Sequence, residues 1–381
     1  MTSSPSTVHS VPAQEDGGAT ILEIGQQPGA WREVAGRSDA EATAFLRDVT
    51  GRTDLRVILT GAGSSAFAGD IAAPALRRHL GRRVDAVATT SIVANPLDHL
   101  EPGTPTLLVS FGRSGNSPES LAATALADEL VDDVWHLILT CDQDGQLGRA
   151  HRDRERSLVV YMPERTNDSG FAMTSSLTSM LLSALMLLGP AGAADGEALA
   201  HAAEHVIGLQ SDIRALAQTA KKRFVYLGAG PLAGLAQESA LKLLELTAGE
   251  VVTYFDSPLG FRHGPKSVLD ADTLVLVYVS TDPYTRRYDL DIIAEIRAQL
   301  GEDAVTVLSA VPIPEELGPA IVLPGLDSLP DAVVAPAYLV FAQYLALFTS
   351  LEHGKTPDNP FPSGEVSRVV KGVTIHPWRG E

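Results

Sequence analysis

The chain has 381 residues, 45% of them apolar, which is enough for two ordinary domains with real hydrophobic cores. A net charge of −18 excludes the broad basic surface that a nucleic-acid partner needs, so any anionic ligand must be held by a local device. The single cysteine, Cys141, excludes intrachain disulfides and a cysteine-based zinc cage; at the end of the apolar run WHLILTC it reads as a buried strand cysteine.

Residues 1–20 begin MTSSPSTVHSVPAQEDGG, with neither a basic n-region nor an apolar h-region. This reads as a disordered leader and not a signal peptide, and it sets a cytoplasmic expectation. The longest apolar run picked out, MLLSALMLLG, is of core length and falls short of the roughly 18–20 residues of a membrane helix, so no membrane partner is expected.

Residues 21–190 read as a first α/β domain. The strand pattern RVILT runs into GAGSSAFAGD, a glycine loop that opens a helix and so presents free N–H groups and a positive helix end to an anion. The loop fits G-x-G-x-x-A, which raises a nicotinamide-enzyme reading. That fold places an acid about 20 residues on, at the end of the second strand, whereas Asp85 lies at the start of its apolar run RRVDAVATT.

The next strand, TLLVSF, delivers SFGRSGNSPES, in which Ser110, Arg113, Ser114, Asn116 and Ser117 enter a glycine-hinged turn before the helix PESLAATALADEL. Three hydroxyls, an arginine and a helix N-terminus make a phosphate cup, which Ser64 and Ser65 can complete from the preceding glycine loop. Pro118 suits the first helical position and Ser117 the N-cap, so an ordinary capped helix competes with this reading. It leaves Arg113, Ser114 and the glycines unexplained. The strands HLILTCD and SLVVYMP follow, and then GFAMTSSLT, where Thr174 and Ser175 either line a sugar pocket or cap a helix.

Residues 191–220 are alanine-rich and helical in pattern, and read as a linker between halves. A second domain, 221–353, repeats the first at an offset of 167 residues: RFVYLGAG over RVILTGAG, TLVLVY over TLLVSF, then AVTVLSA and AIVLPGL over the last two strands. The strands are near-continuous apolar runs, as when helices cover both faces of a parallel sheet. The fold class is therefore α/β, two tandem doubly wound parallel sheets made by internal duplication. The cup is not duplicated, since VYVSTDPYT replaces VSFGRSGNS.

In ESALKLLELTAG, Glu238, Lys242 and Glu245 fall within about 60° on a helical wheel, with Ala236, Ala240, Leu243 and Thr247 opposite. Leu241, Leu244 and Leu246 widen the apolar sector and imply a largely covered helix whose charges are paired or functional. Residues 354–381 carry several prolines and read as an extended tail able to wrap a neighbour.

FGRSGNS together with ESALKLLELTAG and FRHGP resembles the sugar isomerase (SIS) domains of phosphosugar isomerases, including the isomerase half of glucosamine-6-phosphate synthase. GPLAGLAQESALK, DSPLGFRHGPKS and GVTIHPW extend the likeness, from about residue 20 to the C-terminal IHPW, to the galactosamine-6-phosphate deaminase/isomerases, also called tagatose-6-phosphate ketose/aldose isomerases. This resemblance implies that Glu245 is the base moving a proton between C1 and C2, that His263 opens the sugar ring, and that Lys242 balances charge near the enediol oxygen. It sets Lys371 at the tail lysine, one residue closer to Arg368 than in the synthase. It assigns the phosphate to Ser65, Ser114 and Ser117, with Arg113 where the synthase has an uncharged amide. Glu238 is expected to be structural, pairing with Lys242.

The chemistry implied is metal-free and cofactor-free, with a phosphosugar as the small-molecule partner. Proton abstraction beside a carbonyl needs a carboxylate, here with a pKa lifted by burial, and a cation where negative charge develops. The chain has Thr2 after Met1 and no glutamine-cleaving domain to supply ammonia, so deamination is the expected direction. Members of the family assemble as dimers or larger, the ring-opening histidine being lent by the neighbouring subunit, and the tail, 354–381, is expected to close the site. Two other readings stay open: a non-deaminating aldose/ketose isomerase, and a phosphosugar-binding SIS regulator, although the leader is too short and polar for a helix-turn-helix.

Overall fold

The computed structural model describes residues 17–37, 40–370 and 372–379. Residues 1–16 of the expected leader and Lys371 lie outside these. The leader boundary moves, because a helix already starts at Gly18 (Gly18–Gly25), and the tail carboxylate of Asp358 accepts from the Ala19 and Thr20 amides at 2.8 Å.

The first half builds a five-stranded parallel sheet from β1 (Arg56–Thr60), β2 (Val84–Ala86), β3 (Thr106–Gly112), β4 (Val134–Thr140) and β5 (Ser157–Tyr161), in the order β2-β1-β3-β4-β5. The second half uses β6 (Arg223–Leu227), β7 (Val252–Asp256), β8 (Thr273–Val279), β9 (Val305–Ser309) and β10 (Ile321–Val322). Its order from the other edge is β7-β6-β8-β9-β10, the same path, again parallel throughout. The duplication seen as matching strings is thus a duplication of topology.

Pleating explains the uninterrupted apolar runs. Along β8, Leu274, Leu276 and Tyr278 point into the large core between the halves, whereas Val275, Val277 and Val279 join an outer cluster under the helix Thr285–Leu300. In β1, Val57 and Leu59 face the central core and Ile58 an outer one. Every residue is buried because each face has a cover.

The central core is shared between the halves. The helix Asp331–Glu352 runs through it, packed on the helices Pro231–Leu246 and Ala193–Gly208. Two expectations change here. The segment 191–220 forms the helices Ala193–Gly208 and Gln210–Ala217, which bury Leu199, Ala202, Ala203, Val206 and Ile213 in that core instead of merely joining two units. And one helix does reach membrane length: Asp331–Glu352 has 22 residues and is apolar enough to cross a bilayer, yet its most apolar window is 100% buried inside the protein. A helix apolar on all sides is what the centre of a two-sheet core demands.

Cys141 follows β4, is buried, and its thiol is pushed up to about 12, chiefly by burial. Asp85, on β2, is held by Arg56 at 2.7 Å and Arg83 at 2.8 Å. That ion-paired role is structural and takes away the acid that a dinucleotide site would use.

Candidate active site

In a parallel sheet of this order, the strand path reverses between β1 and β3, and the crevice beyond their carboxyl ends is where ligands collect. Both glycine-led turns of the first half end there. Gly63 adopts φ 56°, ψ −130° before the helix Ser64–Leu80, and its counterpart Gly230 adopts φ 56°, ψ −126° before Pro231–Leu246. Backbones of that kind require glycine. Gly115, at φ 61°, makes the turn after β3.

The turn encloses a cavity of about 110 Å³ lined by Ser65, Arg113, Ser114, Ser117, Met173 and Arg368. Four of the five residues expected to hold phosphate therefore meet at one place. Ser117 occupies the N-cap position of the helix Pro118–Leu130 but makes no capping bond; its hydroxyl donates to Glu119 at 2.7 Å. The Ser114 hydroxyl accepts from the Asn116 amide at 3.2 Å, and Ser65 sits against the Met173 sulfur at 3.7 Å.

Ser64, the fifth, faces elsewhere. Its hydroxyl accepts from Lys242 Nζ at 2.9 Å, which ties the start of the helix Ser64–Leu80 to the helix Pro231–Leu246. Lys242 also donates to Glu245 Oε2 at 2.6 Å and lies 3.4 Å from Glu238 Oε1. The side chains of Lys242 and Glu238 are 1% and 0% exposed, and that of Glu245 is 27% exposed. Burial, the largest influence on Lys242, opposes its charge, but the Glu238 and Glu245 carboxylates outweigh it and raise its pKa. It is an ammonium at neutral pH.

Two expectations about this helix are revised. Leu244 is exposed, so the helix has one open face, and Glu245 looks out through it instead of being walled off. The deeply buried carboxyl is Glu238, which burial lifts to about 7 against the pull of Lys242. Its pairing with Lys242 is as expected, though at a distance longer than a good hydrogen bond.

His263 follows the short helix Pro258–Phe261, its amide bonded to the Gly260 carbonyl at 2.9 Å, and Gly264 supplies the φ of 121° that ends the turn. Its ring is exposed, and no hydrogen bond or ion pair joins it to Glu245 or the cup among the described residues. Nearby, Arg262 pairs with Glu295 at 2.8 Å, and Lys266 with the same carboxylate.

The loop closing the cup was not read from the sequence as one unit. Asp168 caps the helix Ser175–Leu188 by accepting from the Thr174 amide at 2.7 Å and the Ser176 amide at 2.9 Å. Ser175 donates to Asp168 and accepts from Gln26 Nε2 at 2.9 Å, so it braces the capping carboxylate and makes no cap itself; among the described residues the Thr174 hydroxyl has no partner. Glu23, from the first helix, accepts from the Ser169 hydroxyl at 2.8 Å and the Gly170 amide at 3.1 Å. An Asp six to eight residues before Thr-Ser-Ser was a readable signal for the cap; nothing local pointed from Glu23 to residue 169.

The SIS domain family model matches residues 52–189. An AgaS protein of Streptomyces coelicolor is 53% identical over 99% of this chain and 99% of its own. The D-galactosamine-6-phosphate deaminase AgaS of Escherichia coli is 45% identical, over 94% of this chain and 96% of that one. The crystal structure of tagatose-6-phosphate ketose/aldose isomerase from Escherichia coli superposes with a TM-score of 0.89 at 43% identity, covering 97% of this chain and 99% of that chain. With relatives this similar over nearly their whole length, and with the cup and the Glu-Lys-Glu helix locked together, the chain belongs to the AgaS family of SIS-domain proteins.

Proposed function

We propose that the protein converts galactosamine 6-phosphate and water into tagatose 6-phosphate and ammonia. The observation that carries this reading is Lys242 Nζ, held between Ser64, the neighbour of the cup residue Ser65, at 2.9 Å and Glu245 at 2.6 Å. A sugar anchored by its phosphate in the cup thereby meets a carboxylate and a buried ammonium at a defined place.

Ring opening exposes the C1 aldehyde. Glu245 then removes the C2 proton, and Lys242 stabilises the negative charge developing on the C1 oxygen. Return of the proton to C1 leaves an imine at C2; water adds to it and expels ammonia, giving the ketose. Arg113, Ser65, Ser114 and Ser117 hold the phosphate throughout, and binding energy from that remote group orients the reacting carbons.

His263 is assigned to ring opening, supplied by the partner subunit of a homodimer. What supports this is its exposed ring together with the apolar Val252, Phe255 and Leu259, all exposed on the edge strand β7 and the helix leading to His263. Lys371 keeps its expected place at the site on resemblance, as does the tail as a cover. The reaction is assigned to the cytoplasm.

The test is ammonia release by the purified protein from galactosamine 6-phosphate, with tagatose 6-phosphate as co-product. Ketose formation from an unaminated aldose phosphate with no ammonia from the amino sugar would make it a plain isomerase. Binding without turnover of either would make it a phosphosugar sensor.

A further inference from the structure

Arg113 is only 7% exposed, yet every hydrogen bond of its guanidinium goes to a backbone carbonyl: Gly170, Phe171 and Ala172 at 3.4 Å, and Arg368 at 3.2 Å. Three of these are longer than good hydrogen bonds, and no carboxylate lies within ion-pair distance among the described residues. Burying a guanidinium without a close counterion is costly, and here burial and the neighbouring Arg368 push its pKa down by more than the more distant Asp168, Cys141 and Glu23 raise it.

Arg368 makes the imbalance larger. It comes from the C-terminal tail, donates to the Asp168 carbonyl, and lines the same cavity as Ser65, Ser114 and Ser117. Arg113 and Arg368 thus both line one small cavity whose lining includes hydroxyls and no carboxylate, in a protein whose net charge is −18. Such an arrangement is balanced by an anion of two charges with several acceptor oxygens.

We propose that Arg368 is a phosphate-binding residue of the substrate site, sharing the phosphate dianion with Arg113 and so fixing tail residues 366–370 over the cup. The proposal rests on the phosphosugar reading of the cup and adds what covers it. Arg113 reaches both the anion and the Arg368 carbonyl, so the phosphate and the tail are bound by one side chain. Because a phosphate monoester gains its second charge near pH 6, the strap should select the dianion.

The experiment measures inorganic phosphate binding by calorimetry at pH 5.5 and 7.5 for the wild type, Arg368→Lys and Arg368→Gln, with hydrogen exchange of amides 366–370. The wild type is expected to bind more tightly at pH 7.5 and to protect those amides when phosphate is present. Arg368→Gln should weaken binding at least tenfold and abolish the protection, while Arg368→Lys keeps part of both; with substrate, KM should rise much more than kcat falls. Unchanged phosphate affinity in Arg368→Gln, or no phosphate binding by the wild type, overturns the proposal. Binding requires no turnover, so phosphate capture that depends on Arg368 in a protein releasing no ammonia would sink the deaminase reading alone.

Discussion

At the carboxyl end of β3 the chain turns through Gly112-Arg113-Ser114-Gly115 around a cavity lined by hydroxyls and arginines; 167 residues later, at the end of β8, Val279-Ser280-Thr281-Asp282 makes the corresponding turn around a carboxylate of its own. Asp331 accepts from the Ser280 hydroxyl at 2.6 Å, the Thr281 amide at 2.7 Å and the Thr281 hydroxyl at 3.0 Å. The donors that face a cavity in one half are thus satisfied internally in the other. To such a turn, a carboxylate from the start of the helix Asp331–Glu352 and a phosphate from solution offer the same thing, negative oxygen at hydrogen-bond distance.

The helices behind the turns divide the work the opposite way. Glu238, Lys242 and Glu245 on Pro231–Leu246 correspond at the same offset to Ile71, Ala75 and Arg78 on Ser64–Leu80. Ile71 and Ala75 are buried, packing where the other copy buries charge. On the proposed function one half binds and the other reacts, and the Lys242–Ser64 bond joins them. A duplicated fold frees each copy from what the other supplies.

The largest expected effect comes from the reacting half. Glu245→Gln should lower ammonia release by about 10²–10⁴-fold in a protein that still folds, as checked by circular dichroism, whereas Arg78→Ala, at the matching position of the other copy, should leave the rate alone. A comparable loss in both would break the division of labour. Next, Asp331→Ala strands the Ser280 and Thr281 donors and should destabilise the fold by about 2–4 kcal/mol in urea unfolding; a loss under about 1 kcal/mol would mean the carboxylate is not the built-in anion of that turn.

Ser114→Ala, in the binding half, removes one neutral donor and should raise KM about tenfold with little change in kcat. Its counterpart Thr281→Val should leave KM as it is and cost stability instead, so an exchange of the two outcomes would reverse the comparison.

The smallest effect is a pH slope. Glu238 has its folded pKa raised to about 7 from 4.5, so the stability linked to its protonation is complete below about pH 4.5 and is lost as pH rises through 7. Glu238→Gln should therefore gain melting temperature over the wild type by a few degrees between pH 5 and pH 8. A constant difference across that range would show that Lys242 keeps the carboxylate charged throughout.

Much of this was legible before folding. Apolar strands at a constant offset imply two equivalent parallel sheets, because a sheet covered on both faces leaves no polar position to interrupt the run. SFGRSGNSPES reads as an anion turn because hydroxyls, arginine, glycine hinges and a helix start are local features. The Glu-Lys-Glu stripe is also local, but its burial is not: Glu238 and Lys242 are covered by elements far away in sequence, while Leu244, placed in the covered sector by the wheel, faces outward. The segment APAYLVFAQYLALFTSLEHG is legible as a helix, but its apolar length is masked because Tyr, Gln, Thr and Ser are scattered through it, and they bury as readily as leucine once they have partners, as Tyr338 and Ser350 do.

What the sequence determined alone was everything carried by short-range periodicity and motif: the strand order repeated twice, the unduplicated serine-arginine turn, the Glu-Lys-Glu stripe and the family. Tertiary structure alone decided which of the candidate groups meet. It turned Ser64 from the cup to Lys242, brought Arg368 from the tail to Arg113, and filled the second turn with Asp331. The physical reason is that hydrogen bonds and ion pairs act over about 3 Å, so the partners of a side chain are set by which chain segments the core brings within that distance, and separations of 178 and 255 residues leave no mark in either segment's own sequence.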